Sequence, residues 1–367
     1  YLAPMLRSIT LQNFKSFGVL QKIPLEPITV LVGPNNSGKS NLLSVGQFVS
    51  DCVFRSPEDA LKDAGGIENV IHRPTVADGI VHIGWASDEG SYSVEFFAQK
   101  NRLRVQKESM SKLEGSFAPK RAEQQPFELL QSLTSLPDKG ASTRGIWRPL
   151  LASRRLHLAL NALREDAQFV TEPRLTDNGA ELASVVALWR SAYPEKSAQL
   201  DDFLRKCLPE VKFVLALPSR PGLQRLWVEQ KNGQRFDAPR LSEGMLCFIA
   251  MAMHIIDLGP ETVLFIEEPE RSIHPQRLHE LVELMRLAWH ERRCQFVLST
   301  HSPVLLDDFR DVPESIILFR RDTTPEQNTL VRRMADLPGL MEELGRLQPG
   351  EMLEAGVFQR DFEELKS

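Results

Sequence analysis

Ile28-Thr29-Val30-Leu31-Val32-Gly33-Pro34-Asn35-Asn36-Ser37-Gly38-Lys39-Ser40 is the stretch that decides the fold. Residues 28–32 form a β-branched, largely apolar run that reads as a buried strand, and residues 33–40 match G-x-x-x-x-G-K-[ST] in full. A helix-like stretch, Ser40 to Val49, follows at once. A Gly-rich turn before a helix is the plainer reading, but a complete match set between a strand and a helix is the context of a phosphate-binding loop. Gly33 and Gly38 let the backbone curl so that successive N–H groups of Pro34-Asn35-Asn36-Ser37-Gly38-Lys39-Ser40-Asn41 that carry one (all but Pro34) turn toward phosphate oxygens. Lys39 then reaches the outer phosphates, and the Ser40 hydroxyl is placed to ligate Mg²⁺. The residues imply a nucleoside triphosphate, with Mg²⁺ as its companion ion.

The bulk composition leaves that reading room and closes off others. A chain of 367 residues with 42% hydrophobic and 25% charged side chains can bury a sizeable core as an ordinary globular protein. A net charge of −5 and a pI near 6.0 give no overall pull toward nucleic acid or membrane. Cys52, Cys207, Cys247 and Cys294 are scattered without a C-x-x-C pair, which argues against zinc or a disulfide framework and for reduced thiols in the cytoplasm. No run reaches the ~20 apolar residues of a membrane span, so no membrane role is expected. Tyr1 to Pro4 precede Met5 and are set aside.

Along the chain, Leu6 to Leu11 alternates apolar and polar like a half-buried strand. Ile80 to Trp85, Tyr92 to Ala98 and Leu103 to Glu108 are strand-like, and their short polar links predict an antiparallel meander. Residues 109–144 turn polar and read as a flexible insertion. Helical periodicity is expected over 150–164, 180–190 and 200–208, then strands over 211–217 and 226–229 with a hairpin turn at Asn232-Gly233. From residue 243 onward helices and strands alternate, which implies a parallel sheet with helices on its faces. The expected class is α/β: a mixed or parallel phosphate-loop sheet flanked by helices, an antiparallel meander and an inserted helical lobe. The corresponding parts are 5–100 (phosphate loop and meander), 101–235 (inserted lobe with a hairpin) and 236–367 (the rest of the head).

Four further motifs follow in order. Leu241-Ser242-Glu243-Gly244-Met245 opens a helix, where the Ser242 hydroxyl and the N–H groups around Gly244 form a second anion site or simply a cap. Thr262 to Ile266 is a buried strand ending in Glu267 and Glu268, the first placed to orient Mg²⁺ and the second to polarise water. Ser272-Ile273-His274-Pro275 leads into the next helix. Phe296-Val297-Leu298-Ser299-Thr300-His301-Ser302-Pro303 is a buried strand ending in a histidine suited to sensing a γ-phosphate.

The order of phosphate loop, LSEGM, FIEEPE, SIHP and LSTHSP resembles an ABC-class ATPase of the RecF/SMC-like group, close to OLD-type prokaryotic ATPases. LRSITLQNFKSFG before the loop and LTDNGAELASVVALW at 175–189 share in that resemblance. It implies that Lys39 and Ser40 hold phosphate and Mg²⁺, that Glu267 is the metal acid and Glu268 the catalytic base, and that His301 is the switch histidine. It also implies that Ser242 and Gly244 act in trans on the nucleotide of a second subunit, so the chain works as at least a homodimer. Glu267 stands where the group more often has Asp, and Gln99 is the candidate for its Mg²⁺-completing glutamine. Only about 65 residues follow His301 and none form a D-x-D pair, so the Toprim nuclease of OLD enzymes is not expected. The expected role is ATP-dependent control of a separate effector protein in anti-phage defence. DNA stays open as a partner through Arg144, Arg148, Arg154 and Arg155 near Trp147, or Arg102, Arg104 and Lys107. A RecF-like repair ATPase and a head that holds ATP without turnover are the alternatives.

Overall fold

The computed structural model describes residues 5–72, 79–99, 102–112, 144–271 and 273–359. The expected insertion at 109–144 falls mostly outside them. The chain divides into two compact units: Tyr1–Arg155 with Pro260–Glu268 and Arg292–Ser367, and Leu156–Gly259 with Pro269–Glu291.

The strands, in chain order, are β1 Leu6–Gln12, β2 Gln21–Pro24, β3 Ile28–Val32, β4 Ile80–Ser87, β5 Gly90–Gln99, β6 Arg102–Lys112, β7 Arg154–Leu156, β8 Ala167–Gln168, β9 Val211–Arg220, β10 Leu223–Gln230, β11 Arg235–Asp237, β12 Val263–Glu267, β13 Gln295–Thr300, β14 Ile316–Arg321 and β15 Thr329–Arg333. In the first unit β1, β2, β4, β5 and β6 make an antiparallel sheet in the order β2-β1-β4-β5-β6. This is the expected meander, with β1 and β2 added on its edge. The second sheet runs β15-β14-β3-β13-β12-β7. Within it β14, β3, β13 and β12 are parallel and β15 returns antiparallel. Its central strand β3 is buried at every residue, as its continuous apolar run requires.

One apolar core serves both sheets of this unit, joining Phe14, Phe48 and Phe96 to Phe265 and Phe319. Gln295 ties the sheets polarly: its amide accepts from the Leu6 N–H at 2.7 Å and donates to the Leu6 carbonyl at 3.0 Å. The helix Arg144–Leu151 packs on the meander, where the Trp85 indole donates to the Ile146 carbonyl at 2.7 Å.

The second unit is built on a sheet ordered β11-β10-β8, with β9 also paired to β10. Two turns shape it, Pro221-Gly222 between β9 and β10 and the expected Asn232-Gly233 between β10 and β11. Helices Leu182–Ala192 and Pro194–Cys207 are joined by Arg190, which holds Asp201 through two bonds of 2.6 and 2.7 Å and donates to the Val214 carbonyl of β9. The helix Glu243–Asp257 is almost wholly apolar and buried from Leu246 to Ile256.

Two elements depart from the sequence reading. The helix expected at 150–164 is instead a helix ending at Leu151, the strand β7 and a short helix Leu160–Arg164. The helix after the phosphate loop is Lys39–Leu43, then Val45–Phe54, with a turn at Ser44. There the Ser44 hydroxyl donates to the Asn41 carbonyl and accepts from the Lys15 ammonium, a local competition with helical bonding. Gln99, the candidate for the glutamine that completes the Mg²⁺ shell, ends β5 opposite Arg102 in the meander.

Candidate functional site

Parallel register brings the candidate residues of the first unit to one edge. Thr300 of β13 stands beside Val32 of β3, and Ser299 beside both Leu31 and Glu267. The phosphate loop, the two glutamates and His301 therefore all leave the carboxyl ends of adjacent strands, where open α/β sheets bind ligands.

The loop is held from outside. Gly38 has φ +108°, and a Cβ there would meet Thr329 Oγ1 at 2.3 Å and Ser16 Oγ at 2.7 Å. At Gly33 a Cβ would meet the Phe319 carbonyl oxygen at 2.2 Å. The two glycines are thus required by close packing of β14, β15 and the 13–18 turn around the loop. The Thr329 hydroxyl donates to the Ser37 carbonyl at 2.9 Å and lies 2.8 Å from Ser16 Oγ. Asn41 donates to Ser16 Oγ at 2.7 Å, and Arg321 donates to the Asn36 carbonyl at 2.9 Å. None of Ser16, Thr329 and Arg321 was singled out for function in the sequence; the only signal was Ser16's place in the FKSFG motif.

Within the loop Lys39 is 6% exposed, its ammonium donating to the carbonyls of Gly33 at 2.6 Å and Pro34 at 2.9 Å. The Ser37 hydroxyl is buried and has no hydrogen-bond partner. Ser40 donates to Glu267 Oε1, so a hydroxyl and a carboxylate meet at the loop's end. One hydroxyl and one carboxylate are the sparse protein set that suits Mg²⁺, which takes its remaining ligands from water and phosphate. Among the described residues no cluster of three or more His, Cys, Asp or Glu offers an all-protein metal site. The glycine-shaped cradle, the orphan Ser37 hydroxyl and the Ser40–Glu267 pair fit a Mg²⁺-nucleotide.

Glu268 departs from the strand just before Pro269. Its φ is +47°, and its N–H donates to the Ser299 carbonyl at 3.0 Å. The following proline by itself favours extended backbone, so it does not account for this left-handed turn. This conformation costs a non-glycine residue about 1–3 kcal/mol. Glu268 Oε1 comes to lie 3.9 Å from His301 Nε2, both side chains about one-third exposed.

Beside the loop lies a cavity of about 480 Å³ lined by Lys15, Asn41, His72, Arg321 and Gln327 among others. Burial, aided by the positive Arg155, pulls the Lys15 ammonium down to about 8. The arginines noted in the sequence are partly spent on ion pairs: Arg148 on Glu261 at 3.1 Å and Arg155 on Glu267 at 2.8 Å. Arg102 and Arg104 are exposed on β6, whereas Lys107 lies 3.7 Å from Glu95.

In the second unit Ser242 is exposed and caps the helix Glu243–Asp257, its hydroxyl accepting from the Met245 N–H at 3.3 Å; Gly244 lies in the first turn. His274 is exposed at the start of the helix Pro275–Arg292.

The sheet order and the loop-bearing edge define an ABC-type ATPase head of the OLD, RecF and SMC kind. The family described as "AAA domain, putative AbiEii toxin, Type IV TA system" matches residues 28–307, and the chain belongs to it. An OLD nuclease of Thermus scotoductus (strain ATCC 700910 / SA-01) is 24% identical over 350 residues, covering 87% of this chain and 62% of that protein. The chain thus spans less than two thirds of that relative's length. Among solved structures, an SMC head bound to the C-terminal winged-helix domain of ScpA matches with TM-score 0.59 and 13% identity, covering 90% of this chain and 99% of that one. An SMC head with an extended coiled coil, bound to the C-terminal domain of ScpA derived from Pyrococcus furiosus, matches with TM-score 0.57 and 11% identity, covering 94% and 100%. These likenesses establish the fold. Among the described residues no helix is long and apolar enough to cross a membrane.

Proposed function

We propose that the chain binds and hydrolyses ATP as an ATP-gated dimer and controls a separate effector. The observation that carries this is the convergence of the phosphate loop, Glu267, Glu268 and His301 on one sheet edge. The loop's N–H groups and Lys39 bind the phosphates, Lys39 exchanging its hold on the Gly33 and Pro34 carbonyls for phosphate oxygen. Ser40 and Glu267 hold Mg²⁺, which supplies positive charge to offset what develops on the transferred phosphoryl group. Glu268 orients the attacking water, and His301 contacts the γ-phosphate from the neighbouring strand. The nucleoside end extends toward the cavity bounded by Lys15, Asn41 and His72.

Ser242 and Gly244 complete the nucleotide site of a second subunit. The exposure of Ser242 at a capped helix start, with Gly244 half-buried in the first turn, supports that reading. Kinship with an OLD nuclease and with a family described by a toxin system supports a role in anti-phage defence. Arg148 and Arg155 are engaged with carboxylates, which weakens the case for DNA at that cluster.

Glu268→Gln is the decisive variant. Phosphate release is expected to fall at least a hundredfold while affinity for ATP stays within a few-fold, and light scattering is expected to show a dimer that persists with ATP. Turnover at the parental rate would remove Glu268 from its role.

A further inference from the structure

Glu267 is gripped from two sides. Its Oε1 accepts from Ser40, and its Oε2 lies 2.8 Å from Arg155 Nη2. Arg155 comes from β7, a three-residue strand on the edge of the sheet next to β12, the strand that ends in Glu267. The ion pair is largely withdrawn from water, with side chains 30% and 22% exposed. Arg155 Nε is buried without a hydrogen-bond partner, so the Glu267 bond is what orients the guanidinium. A buried donor left unmet is costly and persists where the surroundings fix the group for another purpose.

We propose that Arg155 is a positioning residue that clamps Glu267 and competes with the divalent cation for it. The guanidinium neutralises the carboxylate and holds it against Ser40 before a metal arrives. A metal ion then has to share or take over a carboxylate already bonded to a cation. This proposal rests on the assignment of Glu267 as the metal acid. It makes Arg155 a brake on metal affinity, a property a purely structural ion pair lacks.

The test reads metal coupling without turnover. The affinity of the full chain for a non-hydrolysable ATP analogue is measured in EDTA and in Mg²⁺, and the ratio of the two dissociation constants reports how much the metal helps. Arg155→Gln is expected to raise this ratio about tenfold, because the carboxylate loses its competing charge. Arg155→Lys keeps the charge and is expected to stay within about threefold of the parent. A merely structural role would lower the melting temperature and shift both affinities together, leaving the ratio unmoved, and that result would overturn the clamp. Glu267→Gln separates the two ideas. A fall in its ratio with none of the expected rise in Arg155→Gln sinks the clamp alone. An unchanged ratio in Glu267→Gln sinks the metal assignment and the clamp with it.

Discussion

Lys15 sits where its environment works against its charge. It is half-buried beside the phosphate loop with Arg155 near and donates to Ser44 at 2.7 Å, and its pKa falls to about 8. An unfolded chain would keep that proton to about pH 10.5. Between pH 8 and about 10.5 the unfolded state therefore binds more protons than the folded one, so this group's contribution to stability rises with pH across that window. Below pH 8 both states are protonated and the penalty of burying the charge is constant. Lys15→Met removes the penalty. Its stability advantage over the parent is expected to be larger at pH 7 than at pH 10, the gap closing by on the order of 1–3 kcal/mol. Urea midpoints at the two pH values measure it, and a gap that widens toward alkali would contradict the sign. Glu268 shows another residue-scale constraint, since it stands on a left-handed backbone where glycine would be at ease.

At the scale of elements, the second unit depends on one arginine. Arg190 links the helices Leu182–Ala192 and Pro194–Cys207 to β9 by meeting both oxygens of Asp201 and the Val214 carbonyl. Asp201 is 8% exposed, so Arg190→Ala would leave a buried carboxylate unpaired. A loss of about 2–4 kcal/mol is expected. Replacing both partners with apolar residues is expected to recover much of it, and a double-mutant cycle by denaturant unfolding checks this. Strongly patterned elements were legible in the sequence. The apolar runs of β3, β12 and β13 and the helix Glu243–Asp257 needed only composition to be read. With them came the phosphate loop and the acid and histidine that end those strands. β7 was hidden, because Arg154-Arg155-Leu156 has no pattern of its own and is a strand only beside β12. Its neighbour Ser153 lies under Gly46, a close approach that no local periodicity encodes. β15 was missed for the same reason, its two terminal arginines masking a short edge strand. Arg155 and Thr329 lay on those two strands, so the part of the site they build was illegible too.

For the whole molecule, the proposal is that ATP joins two copies, each lending its Ser242 surface to the other's nucleotide. Ser242→Arg would place a bulky cation at that surface without touching the phosphate loop of its own chain. It is expected to bind ATP as the parent does and to stay monomeric when ATP is added. Mixing it with Lys39→Ala protein is expected to restore partial association, because one of the two composite sites is then intact. Light scattering of the single and mixed samples reads this out, and association by Ser242→Arg alone would remove the trans role.

The tie between Ser16, Ser37 and Thr329 spans 313 residues of sequence, and β3 is flanked by β13 and β14, both from the last third of the chain. A strand whose neighbours are still unmade has no sheet to join, and pairings this distant are slow to form. During synthesis the octapeptide therefore waits, without its packed surroundings, until a segment 292 residues downstream has also been made.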